Sequence, residues 1–155
     1  MNKTLAYIFT LFFCIFPFSL YAEITKGEWS FVKESDYCYI GSAPEIIDIP
    51  EGKQRGDTYI LVYRINKSKD AIVQIIAGYP FKKNQKIKIS IDSNNYEFFP
   101  DDDAAFTNDD DEIIFAMKKG NKLTINGLSS KGTKTTDVYT LKGFSAAYKQ
   151  LFNDC

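Results

Sequence analysis

Histidine is absent from the 155 residues, which removes Ser/His/Asp and Cys/His triads, imidazole bases and histidine-ligated zinc or iron. Paired carboxylates are the catalytic option that survives, because glycosidases need only two acids at a fixed separation. Residues 92–112 concentrate them: Asp92, Glu97, Asp101 to Asp103, Asp109 to Asp111 and Glu112, with no basic residue among them. Such a run also suggests calcium. No glycine lies between Asp101 and Glu112, however, so the spacing does not match an EF-hand loop. With twenty acidic residues in the chain, no particular pair stands out. No metal or cofactor site is read.

Residues 118–149 are the mirror image, with seven lysines and the single acid Asp137. They could offer anions a face, although neighbouring blocks of opposite sign more often solvate and partly neutralise each other. Within the block, Gly127, Gly132 and Lys134 approach a phosphate-loop pattern, but Thr133 separates the second glycine from the lysine and a strand follows instead of a helix. Ser130 and Lys131 are adjacent, so in extended chain they project to opposite faces and cannot share a proton. Among the aromatics, Trp29, Tyr79 and Tyr96 are candidates for stacking on sugars. The whole chain has 19 basic and 20 acidic residues, which implies no polyanion-binding field and no nucleic-acid partner.

The elements that must position these residues are mostly strands. Apolar alternation runs through Trp29 to Val32, Tyr37 to Ile40, Thr58 to Ile65, Ala71 to Ala77, Lys86 to Asp92, Tyr96 to Phe99, Lys122 to Asn126 and Val138 to Leu141. Thr58 to Ile65 is apolar on both faces and reads as a central strand buried on both sides. Ser93 to Asn95 reads as a tight turn, and the stretch with Pro44, Pro50 and Gly52 as a loop. Two segments change to helical period. About 109–119 has Asn108 as N-cap, acids at its start, Lys118 and Lys119 at its end, Ile113, Ile114 and Met117 inward and Gly120 as C-cap. The second covers about 144–152, with Phe144, Ala147, Tyr148, Leu151 and Phe152 on one stripe. The expectation is a mainly β, antiparallel sandwich-like domain of seven or eight strands with two short helices.

The first 22 residues stand apart. Lys3 precedes an almost wholly apolar run from Leu5 to Leu20, and small Ala22 precedes Glu23, the pattern of a secretory signal peptide cleaved between Ala22 and Glu23. Residues 23–155 then form one domain with no membrane-spanning segment. Two cysteines remain, Cys38 and Cys155. In an exported chain they are expected to pair, a free thiol at the tail or an intermolecular bridge being the alternatives.

Several blocks together carry a family resemblance: GDTYILVYRIN at Gly56 to Asn66, GYPF at Gly78 to Phe81, AMKKG at Ala116 to Gly120, and GLSSKGTKTTDVYTLKGFSAAY at Gly127 to Tyr148. The chain resembles the invasion-associated locus B family of exported bacterial proteins, especially its compact members. That resemblance implies a β-sandwich-like periplasmic or cell-surface protein, a link to host-cell invasion in some relatives, and no established catalytic residue. The resulting expectation is an envelope-associated, non-enzymatic interaction protein whose partner is a protein or envelope component. The loop of Ser129, Ser130, Lys131, Gly132, Thr133 and Lys134 is its candidate contact surface. The other reading is a glycan-binding module or histidine-free hydrolase using carboxylates near Asp101 to Asp111.

Overall fold

The computed structural model describes residues 23–65 and 68–155. The expected signal peptide, its end at Ala22, and residues 66 and 67 lie outside the described residues. Among the described residues ten strands form one antiparallel sheet: β1 (Ser30–Lys33), β2 (Tyr37–Ser42), β3 (Ile46–Asp48), β4 (Tyr59–Ile65), β5 (Ile72–Ile76), β6 (Ile87–Ile91), β7 (Asn94–Asp101), β8 (Ala104–Phe106), β9 (Lys122–Leu128) and β10 (Lys134–Thr140). Their order is β1-β2-β4-β5-β8-β7-β6-β9-β10-β3. Two helices complete the domain, α1 (Asp110–Lys119) and α2 (Phe144–Asp154).

The fold is mainly β with two helices, as the periodicity requires. The two layers of a sandwich are here two halves of one curled sheet, joined through β7. Residues 94–98 of β7 pair with β6, whereas Phe99 to Asp101 pair with β8. Pro100 sits in that second stretch, opposite Ala105. The two strands beyond the eight expected are β3 and β8. Each is three residues long, too short to show a period, and β3 is exposed throughout. Both are formed by a longer neighbour, β10 and β5 respectively, that offers them a ladder.

The inward faces make one core, with Ile40, Ile60, Val62, Val73, Ile89, Phe98, Leu123 and Tyr139 almost fully buried. The outer face of β4 departs from expectation. Ile60 and Val62 are buried, but Tyr59, Leu61 and Tyr63 are half-buried and Ile65 is 60% exposed. Both helices pack elsewhere, α1 against β5 and α2 against β1 and β2. The β6–β7 turn is also tighter than expected, since Ile91 already faces Asn94 and the turn is Asp92–Ser93. Asp92 takes φ +49 there, and its carboxylate accepts the backbone N–H groups of Asn121 and Lys122.

Helix α1 follows its charge pattern, but its caps differ. The N-cap is Asp109 in place of Asn108, and Gly120 is extended rather than left-handed. Glycine is needed at 120 for space: a Cβ would fall 2.7 Å from Ile91 Cγ2 and 3.0 Å from Leu141 Cδ1. Ile113, Ile114 and Met117 face the core. Asp110 does more than favour the helix dipole, because its carboxylate accepts the backbone N–H of Val73 on β5 at 2.8 Å.

Helix α2 has no basic residue in its last turn. Its terminal carbonyls find cations from the sheet instead: Lys33 Nζ donates to Asp154 O at 2.7 Å and Arg64 Nη1 to Phe152 O at 3.4 Å. At its other end Phe144 meets Trp29 edge-on, with ring centroids 4.8 Å apart. Trp29 Nε1 donates to Thr140 O at 3.0 Å. Cys38 on β2 and Cys155 just beyond α2 form a disulfide spanning 117 residues. Closing so long a loop stabilises the folded chain by roughly 5 kcal/mol in the chain-entropy description. Replacing both cysteines by alanine is therefore expected to lower the unfolding free energy by about 3–5 kcal/mol. Urea unfolding followed by tryptophan fluorescence checks this, because Trp29 sits against the helix that the bridge secures.

Candidate functional site

Strand β10 alternates strictly, and its inward positions are Thr135, Asp137 and Tyr139. A carboxylate in the middle of such a row must find a cation, because an unpaired buried charge is too costly to leave. Arg55 supplies it. The guanidinium reaches from the segment connecting β3 to β4, with Nη1 2.8 Å from Asp137 Oδ1 and Nη2 3.0 Å from Oδ2. The Arg55 and Asp137 side chains are only 6% and 4% exposed. Burial pushes the Asp137 carboxyl upward, opposed by the hydrogen bonds and charge of Arg55. The paired fork keeps the carboxylate form.

The pair is the centre of a polar layer. Tyr79 lies against the guanidinium, whose carbon is 5.0 Å from the ring centroid. The Tyr79 hydroxyl is 2.6 Å from Thr135 Oγ1. On the other side Tyr139, wholly buried, places its hydroxyl 3.3 Å from Thr58 Oγ1, which donates to Ile76 O at 2.8 Å. Burial raises the pKa of both tyrosines, so both hydroxyls stay protonated. One polar atom is left over: Arg55 Nε is buried and has no hydrogen-bond partner.

Two glycines make the layer possible. Gly78 has φ +70 and lies so close to the Gly56 and Asp57 carbonyl oxygens that a Cβ there would overlap them. Gly56 N–H donates to Gly78 O at 2.8 Å in the same contact. At Gly127 a Cβ would overlap the Tyr79 hydroxyl and lie 2.8 Å from Thr135 Oγ1. Both glycines stand in the blocks that carry the family resemblance.

Over this layer opens a cleft of 360 Å³. Its walls include Lys53 and Gln54 from the β3–β4 connection, and Ser130, Lys131 and Thr133 from the β9–β10 hairpin. The hairpin is well braced. Ser129 is buried, its Oγ accepts Thr133 N–H at 3.0 Å, and its N–H donates to Thr133 O at 2.9 Å. Ser130 N–H donates to Pro80 O at 2.8 Å, which ties the hairpin to the Gly78–Phe81 turn. The candidate loop is thus divided. Ser129, Ser130, Lys131 and Thr133 line the cleft, whereas Lys134 lines a separate groove with Lys86 and Lys88. The lysine block as a whole does not form one face, since Lys118 stacks on Tyr148 and Lys119 on Phe115.

The acidic segment is used by the fold. Asp92 holds the start of β9, Asp101 ends β7, Asp102–Asp103 make the β7–β8 turn with Asp102 at φ +54, and Asp109–Glu112 begin α1. Among the described residues no group of three or more Cys, Asp or Glu is arranged to hold a metal ion. Of the aromatics, Trp29 is a core-packing residue and Tyr79 belongs to the polar layer. A second concavity, 590 Å³, lies on the outer sheet face among Ile24, Tyr37, Tyr39, Leu61, Tyr63 and Ile65. It is predominantly apolar, with Asp36 and Gln74 at its margin.

The residues at the centre, Arg55, Asp137, Thr58 and Tyr139, do not stand out in a search for motifs. One signal was present. The chain has only two arginines, Arg55 and Arg64, and Asp137 occupies an inward position of an alternating strand.

The fold and cleft define a class: a curled antiparallel β domain with two helices and a polar, lysine-bearing cleft beside a braced hairpin. Residues 37–152 match the family model described as invasion associated locus B (IalB) protein. The chain belongs to that family. Its fold is similar to the crystal structure of invasion associated protein B from Bartonella henselae, with a TM-score of 0.53 at 14% identity over 82% of this chain and 93% of that one. No curated protein matches the chain. Cys38 falls inside the family span and Cys155 beyond it.

Three outcomes follow from the polar layer. Arg55→Ala leaves Asp137 buried without its cation and should cost about 3–5 kcal/mol in urea unfolding. The apolar pair Arg55→Met with Asp137→Leu should restore stability to near wild type or above it. Gly127→Ala should destabilise by about 1–3 kcal/mol by overpacking. It should also displace Tyr79 from Thr135, visible as a change in near-ultraviolet circular dichroism.

Proposed function

We infer that this protein is an exported, envelope-associated binding protein that recognises its partner through the cleft between the β3–β4 connection and the β9–β10 hairpin. It acts by binding rather than by turnover. The observation that carries this reading is the braced hairpin itself. Backbone and hydroxyl hydrogen bonds hold Ser129 to Thr133 in a fixed shape, while Ser130 and Lys131 stay exposed at its tip. An exposed polar loop held rigid on a scaffold is the usual form of a recognition element.

Several features support the rest of the reading. The Cys38–Cys155 disulfide suits an oxidising compartment outside the cytoplasm. No helix among the described residues is long and apolar enough to cross a membrane. The carboxylates nearest to a catalytic arrangement, between Asp101 and Asp111, serve a turn and a helix start. Asp137, buried beneath the cleft, is bound by Arg55 on both oxygens.

In-cell crosslinking of the envelope fraction tests the surface. Lys53→Glu with Lys131→Glu should abolish the crosslinked species that wild type forms, and Lys134→Glu, on the neighbouring groove, should retain them. An unchanged pattern with the double reversal removes this cleft as the recognition surface.

A further inference from the structure

We propose that the cleft binds a phosphomonoester group, presented by a small envelope sugar phosphate or by a lipid headgroup. This rests on the cleft being the recognition surface and names the chemistry it recognises.

The charge count comes first. Lys53 and Lys131 reach the cleft from two different elements. No acid lines it, and Asp137 beneath is neutralised by Arg55 on both oxygens. The local excess is therefore two positive charges, which matches a phosphomonoester carrying between one and two negative charges at neutral pH. A neutral sugar would leave both lysines without a counter-charge.

The donors come second. A phosphoryl group offers three strongly accepting oxygens, and the cleft provides hydroxyls at Ser130 and Thr133 beside the two ammonium groups. Arg55 also lines the cleft with a side chain only 6% exposed, and its buried Nε has no hydrogen-bond partner among the described residues. A buried arginine donor left unpaired is rare, and a bound anion or an ordered water linking to one is a common reason for it. Guanidinium presents five N–H groups in a fixed plane, of which Asp137 engages two.

The volume comes third. A space of 360 Å³ is within the range of small-ligand sites, and Tyr79 and Pro80 give it an apolar side against which a sugar ring or glycerol backbone can lie.

The test is an amide NMR titration of the protein purified from cells expressing the full chain, with glucose 1-phosphate as ligand and glucose as control. Saturable shifts confined to residues 52–55, 79–80 and 129–135 are expected with the phosphate and absent with glucose. Lys131→Ala and Lys53→Ala should each weaken binding about tenfold, the worth of one charge-assisted hydrogen bond. Lys134→Ala should leave it unchanged. Sedimentation with vesicles containing phosphatidic acid distinguishes the sources. Binding to vesicles without a glucose 1-phosphate response assigns a lipid headgroup, and the converse assigns a soluble sugar phosphate.

Silence in both arms, equal response to glucose, or equal weakening by Lys134→Ala overturns the proposal. If the titration and the vesicle sedimentation are both silent while Lys53→Glu with Lys131→Glu still abolishes envelope crosslinking, the phosphate chemistry falls and the recognition surface stands. If both fail, the surface falls as well.

Discussion

Among the described residues one buried ion pair, Arg55 with Asp137, holds the chain where it crosses between the two halves of the curled sheet. Strand β3 pairs only with β10, whereas β4 pairs with β2 and β5, so the connecting residues 49–58 must pass from one half of the sheet to the other. A polar segment of that length would wander if nothing held it. Arg55 fixes its path by gripping Asp137 in the middle of β10. The pair owes its effect to geometry more than to net energy, because desolvating two charges consumes most of what their attraction returns. What it provides is an anchor that holds the crossing segment to the middle of β10.

The same constraint spreads through the neighbouring residues. Gly56, next to Arg55, makes a backbone contact with Gly78 that tolerates no side chain at 78. Tyr79 follows Gly78 and lies against the guanidinium, with its hydroxyl in space that Gly127 leaves open. Pro80 then receives the hairpin's Ser130 N–H. A chain of contacts thus runs from a buried carboxylate to the exposed β9–β10 hairpin loop.

The far end of the molecule is secured in a different way. Helix α2 carries a clear apolar stripe, yet its last turn lacks a local cation. The sheet provides Lys33 and Arg64, the latter also lying over the Phe152 ring at 4.2 Å and donating through Nε to Ser68 O. The disulfide adds a covalent tie at the same place. The helices cover the core between them and leave the tyrosine-bearing outer face of β2, β4 and β5 half open. Burial raises the pKa of Tyr39, Tyr59 and Tyr63 there, with nearby acids adding to it.

Local pattern alone determined the strand-rich class, eight of the ten strands, both helices, the inward residues of α1 and the two cysteines available to pair. These follow from side-chain period and dipole electrostatics, which act within a few residues and are written along the chain. The short strands β3 and β8 were invisible because three residues hold no period; they exist only where a neighbour offers its edge. The half-open face of β4 was hidden for a related reason, since apolar residues on both sides of a strand do not say whether anything covers them. Lys131 was legible as part of a loop, but its separation from Lys134 was decided by the direction each side chain takes off the folded hairpin. Arg55 and Asp137, 82 residues apart, could be joined only by tertiary structure. A charge in the sequence declares its sign, whereas its partner is chosen by the packing that removes water from both.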